Sequence, residues 1–351
     1  MSAWWQATGV VFGLEMRQRV RGVAAYVLLG VFVLLVAGVT GLLALSMRGV
    51  PGGAGGGIFS TIIYFVLLLG TLVTPALSGN AINGDREAGT LATTQVTLVT
   101  TGQLVAGKFL ASWVTALAFL AAAVPFIAVS VALGGTSLDT MVVSTLVVAV
   151  ELGVVAAVGV GLSGVMTRPL LSIVVTYLTV AALSVGTLIM FGLGGMAFQT
   201  DTTSTTTGPV YGGAVDDPLF EEEGCEKTVT EVRVPRLDLV WGVLAANPYV
   251  IVADAAPTRY DSSGNATDLF GFIKVGVRSA QQSPLDRVYD YCFVESHHSP
   301  GPTAKEIIES TTPGWAVGLA THLVLAGALL WGAVAATRTP ATRLPRGSRV
   351  A

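Results

Sequence analysis

Two ionisable residues stand inside long apolar runs of this chain, Glu151 and His322. A carboxylate surrounded by hydrocarbon is costly, so such a residue is a functional candidate by default. Glu151 fits two roles, lining a substrate path or bonding within a helix bundle. The plainer reading is a protonated or paired structural glutamate, and the residues leave these open. His322 is a candidate hydrogen-bond partner, although a lone histidine more often simply packs. No second acid stands at comparable depth, which weakens the case for a proton relay.

A second group is Gly102-Gln103-Leu104-Val105-Ala106-Gly107-Lys108-Phe109. It is one residue away from a phosphate-cradling loop, which needs a Ser or Thr hydroxyl for Mg²⁺ where Phe109 stands. No strand precedes it and an apolar run follows, so the chain is expected to hold no ATPase site of its own. Lys108 is read instead as a lysine whose ammonium reaches out to headgroups. The third group is Cys225, Cys292, His297 and His298. Its spacing fits no strong zinc pattern, so no metal is expected, and in an oxidising compartment a Cys225–Cys292 disulfide is the better reading.

The elements that must carry these residues follow from composition. The chain has 351 residues, 52% hydrophobic and 12% charged, with a mean hydropathy of +0.70. Soluble domains carry about 25% charged residues. This excludes an ordinary cytosolic enzyme, a disordered chain and a nucleic-acid binder. The charge is segregated. Between Asp201 and Glu309 lie 17 acids and 8 bases, while the remainder holds 5 acids and 11 bases.

A membrane-crossing helix needs about 20 apolar residues, and six stretches qualify: 23–46, 58–79, 105–133, 140–166, 170–197 and 314–337. The Lys and Arg residues near their ends set the orientation. Arg17, Arg19, Arg21, Arg86, Lys108, Arg168, Arg338, Arg343, Arg346 and Arg349 all fall on one side if both termini are cytoplasmic, and only Arg48 falls on the other. The expected fold is therefore an all-α polytopic membrane protein of the plasma membrane with six transmembrane helices. Residues 1–22 read as an interfacial amphipathic helix rather than a cleavable leader. Trp4, Trp5, Val11, Phe12 and Met16 would face lipid, with Gln6, Glu15, Arg17, Arg19 and Arg21 toward water or headgroups. Residues 23–197 hold spans one to five, with a cytoplasmic loop at 80–104. Residues 198–313 form an extracytoplasmic α+β insert, 314–337 span six, and 338–351 a basic cytoplasmic tail. In the insert, 198–208 reads as a polar linker, Thr228–Val234 and Phe270–Val277 as β-like pieces, and Lys305–Ser310 as a short helix. Gly153, Ala157 and Gly161 form a small-residue stripe suited to close helix packing.

The loop between spans two and three reads Asp85-Arg86-Glu87-Ala88-Gly89-Thr90-Leu91 and continues to Gly107-Lys108. This run resembles the cytoplasmic signature of the ABC-2-type permeases, the membrane subunits of ATP-binding cassette exporters. In that family an acidic-basic-Glu-x-Gly-Thr-Leu run follows span two and a Gly-Lys pair opens span three. Ala246-Asn247-Pro248-Tyr249 resembles the family's Asn-Pro-aromatic turn. A proline that many members carry shortly after the run is absent here. The resemblance implies a transport subunit, not an enzyme, that moves a hydrophobic or amphipathic substrate. Its partners would be a separate ABC ATPase subunit carrying ATP and Mg²⁺, a second permease copy or paralogue, and membrane lipids. It gives Asp85, Arg86, Glu87, Gly89, Thr90 and Leu91 an ATPase-coupling role within a short helix over 84–98. It also points to spans one, two and five as the pathway, with Thr40, Thr61, Tyr64, Thr71, Thr176, Tyr177, Thr179 and Thr187 as its polar residues. Two other classes remain at this stage. One is a non-transporting scaffold or sensor whose insert binds a ligand or partner. The other is a membrane-embedded enzyme using Glu151 and His322.

Overall fold

The computed structural model describes residues 3–46, 55–90, 99–133, 136–212, 221–284, 287–290 and 302–338. Six helices among them are long and apolar enough to cross a membrane. Helix α1 (Ala3–Arg21) leads into α2 (Val23–Ser46). The chain continues through α3 (Gly55–Ser78), the short α4 (Asn83–Glu87), α5 (Thr101–Ala132), α6 (Leu138–Val165) and α7 (Pro169–Ala197). After the insert, α12 (Trp315–Thr337) completes the set. The fold is a polytopic all-α bundle with a small sheet appended to one end. The long helices alternate in direction, so α1 and α4 share one face of the bundle and the sheet lies at the other.

Helix α6 is the axis. Of the six long helices it is the most buried, and it packs on α3, α5, α7 and α12. Its glycines explain why. A Cβ at Gly153 would lie 2.9 Å from the Trp113 ring, one at Gly161 2.6 Å from Leu329 Cβ, and one at Gly164 2.4 Å from Ala333 Cβ. Lipid tails are as apolar as side chains, so close van der Waals contact between backbones must hold such helices together. The small-residue stripe thus serves contacts within this chain. Local signals set the helix ends. Thr100 and Gln103 form a reciprocal capping box on α5, and Pro169 opens α7. A single π turn at Ala182–Gly186 interrupts α7.

The insert differs from its expected form in three places. Residues 198–208 are not a linker. Residues 199–208 fall in β1 (Gln199–Gly212), which pairs antiparallel with β2 (Glu221–Pro235) from Gln199↔Pro235 to Gly212↔Glu221. Six of its residues are threonine, and β-branched residues favour the pleated ribbon even when polar. β3 (Arg287–Asp290) lies parallel to Ser204–Thr207, giving the order β2-β1-β3.

The second difference is at Phe270–Val277, which is helical within α10 (Leu269–Ser279). Phe270, Ile273 and Val277 recur at helical spacing, and the Asp268 side chain accepts the Gly271 N–H at 2.7 Å as an N-cap. The third concerns the boundary at 198. The segment Leu237–Ala255 folds back into the bundle through α8 (Gly242–Ala245) and α9 (Pro248–Ala255). Ile251, Val252, Ala253, Ala256 and Phe270 share one apolar cluster with Phe32 of α2, Phe59 of α3, Phe119 of α5 and Leu152 of α6. Much of the insert is therefore bundle core. α11 (Ala304–Ser310) occupies the stretch read as a short helix, with a capping box between Thr303 and Glu306.

Buried charge joins the insert to the bundle. Asp254 of α9 accepts Arg278 Nε at 2.7 Å through one oxygen, and the N–H groups of Gly314 and Trp315 at 2.8 and 2.9 Å through the other. It therefore caps the start of α12. Lys274 of α10 donates to Ala256 O at 2.6 Å, facing Asp254, Arg278 and Asp268. Burial pushes the Lys274 pKa down from 10.5 to about 8, partly opposed by Asp254. Between those values the folded chain sheds a proton that the unfolded chain keeps. Stability should therefore rise as pH climbs from 8 to 10.5, and the burial cost is fully present below 8. The Lys274 contribution to this rise is about 3 kcal/mol at most. Melting of wild type and Lys274→Met across that range checks it: wild type should gain stability relative to the variant as pH rises, and a constant difference would contradict it.

Candidate functional site

The α1 face holds a braced elbow. The chain turns at Gly79, whose Cβ position is closed off by Pro75 O at 2.8 Å and Ile173 Cα at 3.1 Å. Backbone N–H groups of Ile82 and Asn83 then donate to Ser163 Oγ of α6 at 2.9 and 3.1 Å. The buried Asn83 amide donates to Ser172 Oγ of α7 at 3.3 Å, and Ser172 in turn donates to Gly79 O. Small hydroxyls on two apolar helices thus satisfy the backbone groups that a turn exposes.

Two of the residues expected to meet a partner face inward. Asp85 pairs with Lys108 at 2.7 Å, and Lys108 also pairs with Glu15 of α1. Arg86 donates to Asn83 Oδ1 at 2.6 Å and to Met166 O, just past the end of α6, at 2.9 Å. A cation there also suits the negative end of the α6 dipole. Lys108 is 1% exposed. It does not reach out to headgroups; it is the buried cation that ties α1, α4 and α5 together.

Helix α1 is clamped as well. Arg19 donates to Ser112 Oγ at 2.9 Å, Thr115 Oγ1 at 3.3 Å and Leu77 O at 3.2 Å. Val11 is buried where α1 crosses α5, because Gly107 leaves room: a Cβ there would lie 2.7 Å from Val11. Val11 and Arg19 therefore face the bundle, whereas Trp4 and Trp5 are exposed.

What remains open on the elbow is its tip. Glu87, Ala88, Gly89 and Thr90 are exposed, and Gly89 ends α4 at φ 68°, a left-handed conformation that glycine adopts without strain. Thr90 Oγ1 donates to Asp85 O at 3.3 Å. Among the described residues Glu87 makes no ion pair. The arrangement presents one carboxylate on a rigid, backed turn. Leu91 and the remainder of the expected helix to residue 98 lie outside the described residues. The Gly102–Phe109 run is the start of α5, helical throughout.

At mid-bundle the structure brings Glu151 and His322 together. His322 Nδ1 lies 2.8 Å from Glu151 Oε2, and Nε2 lies 2.9 Å from Ala246 O. Both side chains are 1% exposed, and among the described residues Glu151 Oε1 has no hydrogen-bond partner. Asn247, next in the chain, caps α9 by accepting the Tyr249 N–H at 2.9 Å and donates to Ser184 O and Thr187 Oγ1 of α7 at 2.6 and 2.8 Å. Ser184 lies in the π turn, where the wider helical bonding leaves carbonyls open to an outside donor.

The other polar residues of spans one, two and five divide into threonines that bond locally and tyrosines that reach a second helix. Thr40, Thr61, Thr71, Thr176 and Thr179 bond their own helix backbones. Tyr64 donates to Tyr249 O at 3.0 Å and Tyr177 to Leu72 O at 2.7 Å. Cys225 lies on β2, while Cys292, His297 and His298 lie outside the described residues, so the expected disulfide does too.

Sequence reasoning missed Glu15 and Arg19 as inward-facing residues, and missed Asn83, Ser163 and Ser172 altogether. The signal available for the last three was polar residues near apolar helix ends. No protein-family model and no curated protein matches this chain.

Proposed function

We propose that this chain is the membrane-spanning permease subunit of an ATP-driven exporter, and that the α4 elbow is where a separate ATPase subunit grips it. The observation that carries this reading is the elbow itself. A short turn backed by Asp85–Lys108–Glu15 and Arg86–Met166 O leaves Glu87 alone at its exposed tip. Rigid backing is what force transmission between subunits requires, since a floppy loop absorbs displacement. The described part of the run that resembles exporter permeases, Asp85 to Thr90, lies on this turn. Asp85 and Arg86 therefore act as positioning residues, and Glu87 and the Gly89 turn as the contact.

The six apolar helices among the described residues support a multi-pass membrane protein, which we assign to the plasma membrane. The bias of basic residues toward the α1 face favours a cytoplasmic position for that face and both termini, with the sheet outside. Helix α1 then lies along the cytoplasmic interface, with Trp4 and Trp5 at headgroup level. Helices α2 and α7 are the least buried spans, and leave broad apolar faces for lipid and for a second permease copy. A pathway between two such copies would suit a hydrophobic or amphipathic cargo.

Charge reversal tests the elbow. Losing one partner of a desolvated charge pair costs about 2–5 kcal/mol, so Glu87→Lys should weaken ATPase capture at least about tenfold. Glu309→Lys, on an exposed insert helix, should leave it unchanged. Normal membrane insertion of Glu87→Lys with wild-type capture of the ATPase would contradict the assignment.

A further inference from the structure

The Glu151–His322 pair has no part in the elbow, and its geometry fixes its proton count. A carbonyl oxygen only accepts, so Nε2, 2.9 Å from Ala246 O, must carry a hydrogen. Nδ1 then faces Glu151 Oε2 at 2.8 Å, and a hydrogen must lie between them. Either the ring is an imidazolium beside a carboxylate, or a neutral ring accepts from a protonated carboxyl. Both states hold one proton more than a neutral imidazole and a carboxylate do. Without that proton a lone pair faces an oxygen at one end of the ring, in a site closed to water, where unpaired polar atoms are most costly.

We propose that Glu151 and His322 jointly bind one exchangeable proton, and that this proton fastens the Leu237–Ala255 segment to α6 and α12. The pair bridges α6, α12 and the turn at Ala246, and Asn247 carries the connection on to the π turn of α7. At the Ala246–Asn247 turn the segment is held from two sides, by His322 and by α7, so losing the proton loosens one of the two holds on that turn. The free Glu151 Oε1 gives the proton a second oxygen on which to sit.

The other titratable groups on the packed elements are engaged elsewhere. Lys108 of α5 pairs with Glu15 and Asp85, and Asp254 of α9 with Arg278. Tyr64 of α3 donates to Tyr249 O, the Tyr249 hydroxyl of α9 hydrogen-bonds Thr71, and Tyr177 of α7 donates to Leu72 O. Asp139, at the far end of α6, hydrogen-bonds Ser137. None of them bonds to the pair.

Two readouts test the proton. The chain has three histidines, so His297→Ala with His298→Ala leaves His322 alone for nitrogen-15 spectroscopy of the full-length protein in lipid nanodiscs. At neutral pH the nitrogen-15 signals should show hydrogen on Nε2, together with either hydrogen on Nδ1 or, in the infrared spectrum, a protonated carboxyl band that Glu151→Gln abolishes. A neutral ring with bare Nε2, or an Nε2–H ring beside an ionised Glu151, would overturn the proposal.

The second readout is hydrogen–deuterium exchange of residues 241–255, corrected for the intrinsic pH dependence of exchange. Glu151→Gln supplies a permanent N–H to Nδ1 and needs no titratable proton. Wild type should lose at least about tenfold of its protection at alkaline pH, while Glu151→Gln keeps its own. Equal losses in both, or none in wild type, would overturn the latch.

Discussion

Asp254→Ala should destabilise the protein by about 3–5 kcal/mol, the range for breaking a buried ion pair from one side. The carboxylate is 1% exposed and its Arg278 partner 4% exposed, so solvent cannot rescue either group. Removing it strands a guanidinium and also the Gly314 and Trp315 N–H groups at the start of α12. Arg278→Met should cost less, because the remaining carboxylate keeps both backbone donors and the favourable end of the α12 dipole. The ordering is the useful part. Thermal melting in detergent should place Asp254→Ala well below Arg278→Met. Equal melting temperatures would mean that the ion pair, and not the helix cap, dominates at this junction.

Gly318→Ala should separate α12 from the segment it packs against. An added Cβ would lie 1.8 Å from Ala245 O and 2.8 Å from Ile251 Cγ1. The nearer obstacle is backbone, so a rotamer change cannot relieve it. Overpacking of this kind costs about 1–3 kcal/mol. The displaced turn also carries Ala246 O, the acceptor for His322 one helical turn further along α12, so the loss should sit toward the upper end. Gly327→Ala is the matched control on the same helix, with open space where its Cβ would go. A melting temperature for Gly318→Ala equal to that of Gly327→Ala would contradict the close packing.

The spans were legible because hydrocarbon thickness demands long apolar runs, which leave an unmistakable trace in sequence. The elbow was legible as a place and not as a mechanism. Asp85 and Arg86 sit beside Glu87, and one sequence run gives all three the same surface role. Their partners, Lys108, Glu15 and Met166 O, come from helices that adjacency cannot reveal. Lys108 shows the same problem from the other side. A lysine at a membrane edge ordinarily extends outward, but two acids recruited from α1 and α4 hold this one inside.

The insert failed for a different reason. Short apolar runs such as Phe270–Val277 fit a strand or a helix, and the discriminating signal, Asp268 as a cap, lies just outside the run. The threonines of β1 were read by polarity, while their β-branching governed the backbone. The Glu151–His322 contact joins residues far apart in the chain, and only tertiary packing brings them within bonding distance.

The proposed partnership of this chain with a separate ATP-hydrolysing subunit can be tested on native material. Isolation of the full-length protein from its native membranes in mild detergent, followed by measurement of ATP hydrolysis on the purified material, tests it most directly. A nucleotide-binding subunit should co-purify in fixed proportion with Mg²⁺-dependent hydrolysis, and Glu87→Lys should strip both from the preparation. A wild-type protein that purifies intact with neither the subunit nor the hydrolysis would contradict it.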